Sequence, residues 1–292
     1  MKIIQHEKNV HELQLKGNHS RIAILSDIHW DNPKCDLDLL KRDLEFCKKE
    51  SIPIFINGDF FCAMQGKYDR RASKSSIRPE HQNDNYLDSL VTTAVEWWKP
   101  YAHLIFLLGY GNHETAMIKM HETDLLQRFA DLMNLREHTN IQVGGYSGWI
   151  IFTQIYSTIQ TPFKLHYHHG LSKGASVVTK GAIDLSRAMG IYEGMDIFTQ
   201  GHIHQSMSRE DVRDTLEHTK NGYRIKKQHV HHMITGTYKE EYFGTKGMGW
   251  HVERGAEARN LGGRIMTLES KRIVKDGVRK MKKYVDSHKF PL

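Results

Sequence analysis

Three short apolar runs constrain this chain more than any other feature: Ile22-Ala23-Ile24-Leu25, Ile54-Phe55-Ile56 and Leu104-Ile105-Phe106-Leu107-Leu108, each bounded by polar or glycine residues. Runs of this length without polar alternation suit strands buried on both faces. Helical stripes flank them. Leu37, Leu40, Leu44 and Cys47 recur at helical spacing, with Asp36 placed to cap the start. Leu87, Leu90, Val91, Ala94, Val95 and Trp98 form a second stripe, and Leu125, Leu126, Phe129 and Leu132 a third. Their expected role is core packing. Further strands are expected near 146–153, 165–169, 196–200, 229–237 and 263–267, with fewer helices between them. The pattern predicts an α/β fold of two packed β-sheets flanked by helices. With 292 residues, 6 scattered prolines and no repeat or linker, the simplest organisation is one domain over 1–292.

Apolar residues at 39% and charged residues at 26% exclude a disordered chain. The start, Met1-Lys2-Ile3-Ile4-Gln5-His6, lacks the apolar stretch of a signal peptide, and the run 104–108 is far too short to span a membrane. Cys35, Cys47 and Cys62 form an odd set without CxxC spacing, which predicts a reducing, cytoplasmic setting. The net charge is +7, and the basic tail 271–292 holds most of that excess. That tail reads either as a contact for phosphate backbones or as a solvated helix.

Polar ligand types follow the strands. Ser26-Asp27-Ile28-His29 comes after the first, Gly58-Asp59 after the second, and Gly111-Asn112-His113-Glu114 after the third. His168-His169-Gly170 and Gly201-His202-Ile203-His204 end two later strands. Open α/β sheets place their ligand crevices at such C-terminal strand ends. If the strands continue, residues two apart face one side, so Asp27 and His29 can share an ion, and His202 and His204 stand in the same relation.

The ordered set resembles the calcineurin-like metallophosphoesterase superfamily, whose pattern runs Asp-x-His, Gly-Asp, Gly-Asn-His-Asp/Glu, His, Gly-His-x-His. The resemblance spans Asp27 to His204, about three-fifths of the chain. It implies a four-layer α/β/β/α sandwich holding two divalent ions. Asp27, His29 and His204 would hold the first, Asn112, His169 and His202 the second, and Asp59 would bridge them. The family's ligand histidine directly precedes glycine, which selects His169 and leaves His168 as the alternative; His166 and His168 then serve as support or packing. Two cations about 3.5–4 Å apart clamp a phosphoryl group and supply a metal-bound hydroxide for in-line attack. His113 would be the catalytic acid at the leaving oxygen. Oxygen and imidazole donors favour Mn²⁺, with Fe or Zn²⁺ as alternatives. Of the remaining histidines, His229, His231 and His232 are read as ordinary strand and surface residues.

The arginines that grip a phosphomonoester in Ser/Thr protein phosphatases of this superfamily have no counterpart. The second block reads Gly58-Asp59-Phe60-Phe61-Cys62-Ala63, and Tyr110 precedes Gly111. A basic insert, 65–81, follows instead and resembles one in phage-encoded members. Its Arg70, Arg71 and Arg78 are candidate contacts for a phosphate flanking the scissile one. Tyr238 and Arg254 are further candidates, each read first as structural. The expected function is a dinuclear metal-dependent phosphodiesterase acting on nucleic acid or a nucleotide diester. The alternatives are a phosphomonoesterase or pyrophosphatase for a small metabolite, and an inactive scaffold.

Overall fold

The computed structural model describes residues 2–63, 76–172, 178–220, 222–242, 253, 255, 257–275 and 278–291. Arg70, Arg71 and Arg254, with most of the basic insert, lie outside the described residues.

The chain opens with β1 (Lys2–Glu7), β2 (Val10–Lys16) and β3 (His19–Leu25), followed by α1 (Leu37–Glu50) and β4 (Ile54–Asn57). Helix α2 (Tyr86–Trp98) leads to β5 (Ile105–Gly109), and α3 (Asn112–His121) and α4 (Leu125–Glu137) precede β6 (Gln142–Val143). Strands β7 (Ser147–Tyr156) and β8 (Ile159–His168), helix α5 (Ala182–Ile191) and β9 (Ile197–Gln200) follow. Two hairpins close the chain, β10 (Met207–Thr219) with β11 (Gly222–Ile234), and β12 (Arg264–Lys275) with β13 (Val278–Lys289).

These strands form a seven-stranded sheet, β1-β2-β7-β8-β9-β11-β10, and a six-stranded sheet, β13-β12-β3-β4-β5-β6. The apolar runs become β3, β4 and β5, paired in parallel. Their alternate side chains serve two cores. Ile22, Ile24, Phe55 and Phe106 meet Phe152, Phe163, Leu165 and Ile197 between the sheets. Ala23, Leu25, Ile54, Ile56 and Leu108 face the other way, under Leu40 and Leu44 of α1, Val91 and Trp98 of α2 and Phe129 of α4. A third cluster packs Leu185 and Ala188 of α5 on Phe198, Val230 and Ile234 of the seven-stranded sheet. The result is four layers, helix, sheet, sheet, helix. Asp36 caps α1 as expected, accepting a 2.9 Å bond from the Leu39 amide.

The basic tail departs from expectation. It is strand, with β12 paired antiparallel to both β13 and β3. The lysines of β13, with Tyr284 and Val285 among them, suit a sheet edge. Lys271 and Lys282 lie over the Tyr284 ring at 5.3 and 4.8 Å, and Lys283 donates 2.8 Å to Asp196. The tail is therefore neither a solvated helix nor a loose arm. No described helix is long and apolar enough to cross a membrane.

Candidate metal centre

Each named ligand stands just past a strand end. Asp27 and His29 follow β3, Asp59 follows β4, Asn112 follows β5, His169 follows β8, and His202 and His204 follow β9. The two sheets bring these ends together. One group brings single ligand atoms of Asp27, His29 and His204 within 4.8 Å of one another, and a second does so for Asp59, His169 and His202. Asn112 joins the second group, its Oδ1 standing 3.2 Å from His169 Nε2. His169 Nε2 is 3.2 Å from Asp59 Oδ2, and His204 Nε2 is 3.2 Å from Asp27 Oδ1.

The local route differs from simple strand alternation. Asp27, His29, Asp59, His202 and His204 have φ of 51°, 49°, 50°, 67° and 54°, in the left-handed region. Each such residue costs about 1–3 kcal/mol and persists only where its surroundings over-determine it. The pleat of β3 ends before Asp27, and tight turns bring the paired side chains together. His202 and His204 fall in different groups, against the shared-ion reading of their spacing. Backbone bonds hold the turns: Asp27 N–H donates to Gly58 O (3.1 Å) and His29 N–H to Asp59 O (2.9 Å). The Asp27 carboxylate accepts from Ser26 Oγ (2.5 Å) and from the His202 amide (2.8 Å).

Two motif glycines have physical reasons. Gly58 has φ +82°, and a Cβ there would come within 2.5 Å of His169 Nδ1. At Gly111 a Cβ would lie 2.1 Å from Asp59 Oδ1. Side chains would push the ligands apart.

The ligands' protonation states differ: burial keeps His29 neutral, whereas the neighbouring carboxylates hold a proton on His169 that has to leave before its Nε2 can hold a cation. Burial drives His29 well below its usual value, leaving a neutral imidazole. Burial would raise Asp59, but His169 and His113 outweigh it and hold the carboxyl well below the usual range. His169 Nδ1 lies 2.8 Å from the Asn57 carbonyl, a contact that directs Nε2 at Asp59 and Asn112. Burial opposes charge on His169, yet Asp59 and Asp27 lift it to about 10.

The donor set fits two divalent ions. Both His29 ring nitrogens are buried without a hydrogen bond, and buried Asp27 Oδ1 has the His204 imidazole 3.2 Å away. Such atoms require a partner, and a cation satisfies imidazole and carboxylate together. Oxygen and nitrogen donors in each group match the softness expected for Mn²⁺, Fe or Zn²⁺.

His113, the expected acid, is only 8% exposed. Its Nδ1 is 2.6 Å from the Cys62 carbonyl, and its Nε2 is 4.0 Å from Asp59 Oδ2. Its amide donates 3.0 Å to Asp59 Oδ1, which ties the base of α3 to that carboxylate.

Other expectations resolve individually. His168 is not in either group; its Nδ1 accepts 3.1 Å from Gly170 N–H, whereas His169 is fully buried in the second group. His166 stacks on Tyr192 at 3.6 Å and serves packing. Arg78 is 8% exposed, its guanidinium bonding the Asn32 carbonyl (3.3 Å) and lying over the Trp30 ring at 5.3 Å. That placement corrects the expectation of an arginine offered to substrate. Tyr238 is likewise fully buried, donating 2.9 Å to Asp43 Oδ2. Among the described residues, none of His229, His231 and His232 joins a group that could hold an ion.

Two positioning residues carried no role from sequence. Glu114 accepts the amides of Asp59 (3.1 Å), Phe61 (2.9 Å) and Gly111 (2.8 Å), joining the second and third turns. Asp31 accepts the amides of Cys62 (2.5 Å) and Ala63 (2.9 Å). The signal for Glu114 was its place in the Gly-Asn-His-Glu block; Asp31 had none.

No family model matches the chain, and no curated protein matches it. Among solved structures, Vacuolar Protein Sorting 29 from Cryptosporidium parvum aligns at 11% identity over 94% of this chain and 100% of that one, with a TM-score of 0.37. GAP50, the anchor in the inner membrane complex of Plasmodium, aligns at 13% identity over 94% of this chain and 90% of its own, with a TM-score of 0.41.

Proposed function

We propose that the chain is a dinuclear metal-dependent phosphodiesterase acting on nucleic acid or a nucleotide diester. The observation that carries the reading is the convergence of Asp27, His29, Asp59, His169, His202 and His204 into two adjacent groups, the first with both His29 ring nitrogens buried and without a hydrogen bond. Asp27, His29 and His204 would hold one ion, and Asn112, His169 and His202 the other, with Asp59 shared. Two such ions, of which Mn²⁺ suits the donors best, neutralise phosphoryl charge and ready water for attack near neutral pH when bound.

The chain's own groups do the rest. His113, with Nδ1 against the Cys62 carbonyl, presents Nε2 beside Asp59, where it delivers a proton to the leaving oxygen. Glu114 and Asp31 fix the turns that orient Asp59 and His113. A diester is favoured over a monoester because, among the described residues, no arginine stands where the resembled protein phosphatases grip a second phosphate charge. Tyr110, in that place, donates its hydroxyl to Asp124. Arg70 and Arg71 stay candidates for a flanking phosphate. Three free, buried cysteines support action in the reducing cytoplasm.

The test is Mn²⁺-supplemented hydrolysis of bis-p-nitrophenyl phosphate against p-nitrophenyl phosphate, with Asp59→Asn as the blank. A diester preference that the blank loses is expected. A monoester preference overturns the phosphodiesterase assignment, and turnover unaffected in the blank overturns the site.

A further inference from the structure

His29, Cys62 and His113 form a third group, each offering one ligand atom within 4.8 Å of the others, all three buried. The function proposed above leaves the Cys62 thiol without a role. Its Sγ accepts a 3.3 Å bond from Asn32 Nδ2, and its backbone is pinned by Asp31. The second observation lies on His29, which is 2% exposed with no hydrogen bond at either ring nitrogen. A neutral imidazole has one lone pair, so His29 can serve either this group or the one with Asp27 and His204, and filling one excludes the other.

We propose that His29, Cys62 and His113 make a separate cation position selective for a thiophilic divalent ion such as Zn²⁺ or Cd²⁺, and that filling it inhibits the enzyme. A thiolate with two imidazoles is a donor set that zinc and cadmium take and that Mn²⁺ takes poorly. Zinc bonds of about 2.3 Å to sulfur and about 2.0–2.1 Å to nitrogen draw the three groups slightly inward. As the metal–sulfur bond forms, the thiol proton leaves to solvent. The ion then withdraws His113 from proton transfer and competes with the first position for His29. The inhibitory half rests on the phosphodiesterase reading; the binding half does not.

Two readouts separate them. Cd²⁺ titrated into the full chain should produce near-ultraviolet sulfur-to-cadmium charge-transfer absorption. Cys62→Ser should lose that band, and His204→Ala, which breaks only the first group, should keep it. A band that survives in Cys62→Ser, or none in the parent chain, overturns the site whatever the enzyme's activity. In the second readout, each protein's own Mn²⁺-supported diester rate is titrated with Cd²⁺. Cys62→Ser should need at least about tenfold more Cd²⁺ for half-inhibition, and equal sensitivity overturns the inhibitory role. Circular dichroism of both variants establishes that they are folded.

Discussion

At the scale of single residues, the candidate centre combines strained backbone with well-satisfied support. Five ligand residues adopt left-handed φ, which nothing in a linear sequence announces. Asp-x-His spacing pointed to Asp27 and His29 as partners, but turns bring them together where pleat alternation was expected. The same gap hid Glu114, whose three amide bonds depend on three turns meeting in space. Changing Glu114→Gln replaces one acceptor oxygen with an amide NH2 facing N–H donors. We expect a loss of about 1–3 kcal/mol in chemical denaturation, together with weaker cation binding. His113→Ala should lower diester kcat by about 10²–10⁴-fold while Mn²⁺ still binds, which calorimetry separates from loss of the ions. Tyr238→Phe should do the reverse. Removing its bond to buried Asp43 should lower stability by about 1–3 kcal/mol and leave turnover near the parent value. A collapse in kcat without loss of stability would restore Tyr238 as a substrate contact.

At the scale of elements, legibility followed burial. Strands β3, β4 and β5 were readable because both faces are covered, so their residues are continuously apolar. Helices α1, α2 and α4 were readable from their stripes. The hairpins were harder. Strand β10 alternates half-buried and exposed residues throughout, and β13 carries lysines on its exposed positions, so neither shows an apolar run. Helix α5 is short, and its stripe is brief. It packs near a buried histidine pair that sets a pH dependence. Burial lowers His166 and His232 to about 4 from 6.5. Between those values the unfolded chain binds more protons than the folded one, so stability falls as pH drops from 6.5 towards 4. His166→Phe keeps the stack on Tyr192 and removes one titrating group. A shallower decline of the unfolding midpoint across that window is expected, and an unchanged slope would contradict the assignment.

At the scale of the whole molecule, two sheets with separate outer helices bring five strand ends together. The two-sheet class followed from the strand and helix pattern, whereas strand order within each sheet did not. It depends on non-local pairings such as β12 beside β3 and β2 beside β7, for which no short-range signal exists. A centre assembled from both sheets would bind cations only when folded. Saturating Mn²⁺ should therefore raise the melting temperature by several degrees, from about 2.7 kcal/mol at a hundredfold excess over Kd. The most direct test is to count the ions. Purified full-length protein is loaded with Mn²⁺, freed of excess, and examined by metal analysis and electron paramagnetic resonance, alongside Asp59→Asn. Two Mn²⁺ per chain with a spin-coupled signal, uncoupled or reduced to one in Asp59→Asn, is the expected result. One isolated ion or none in the parent protein would contradict the dinuclear centre.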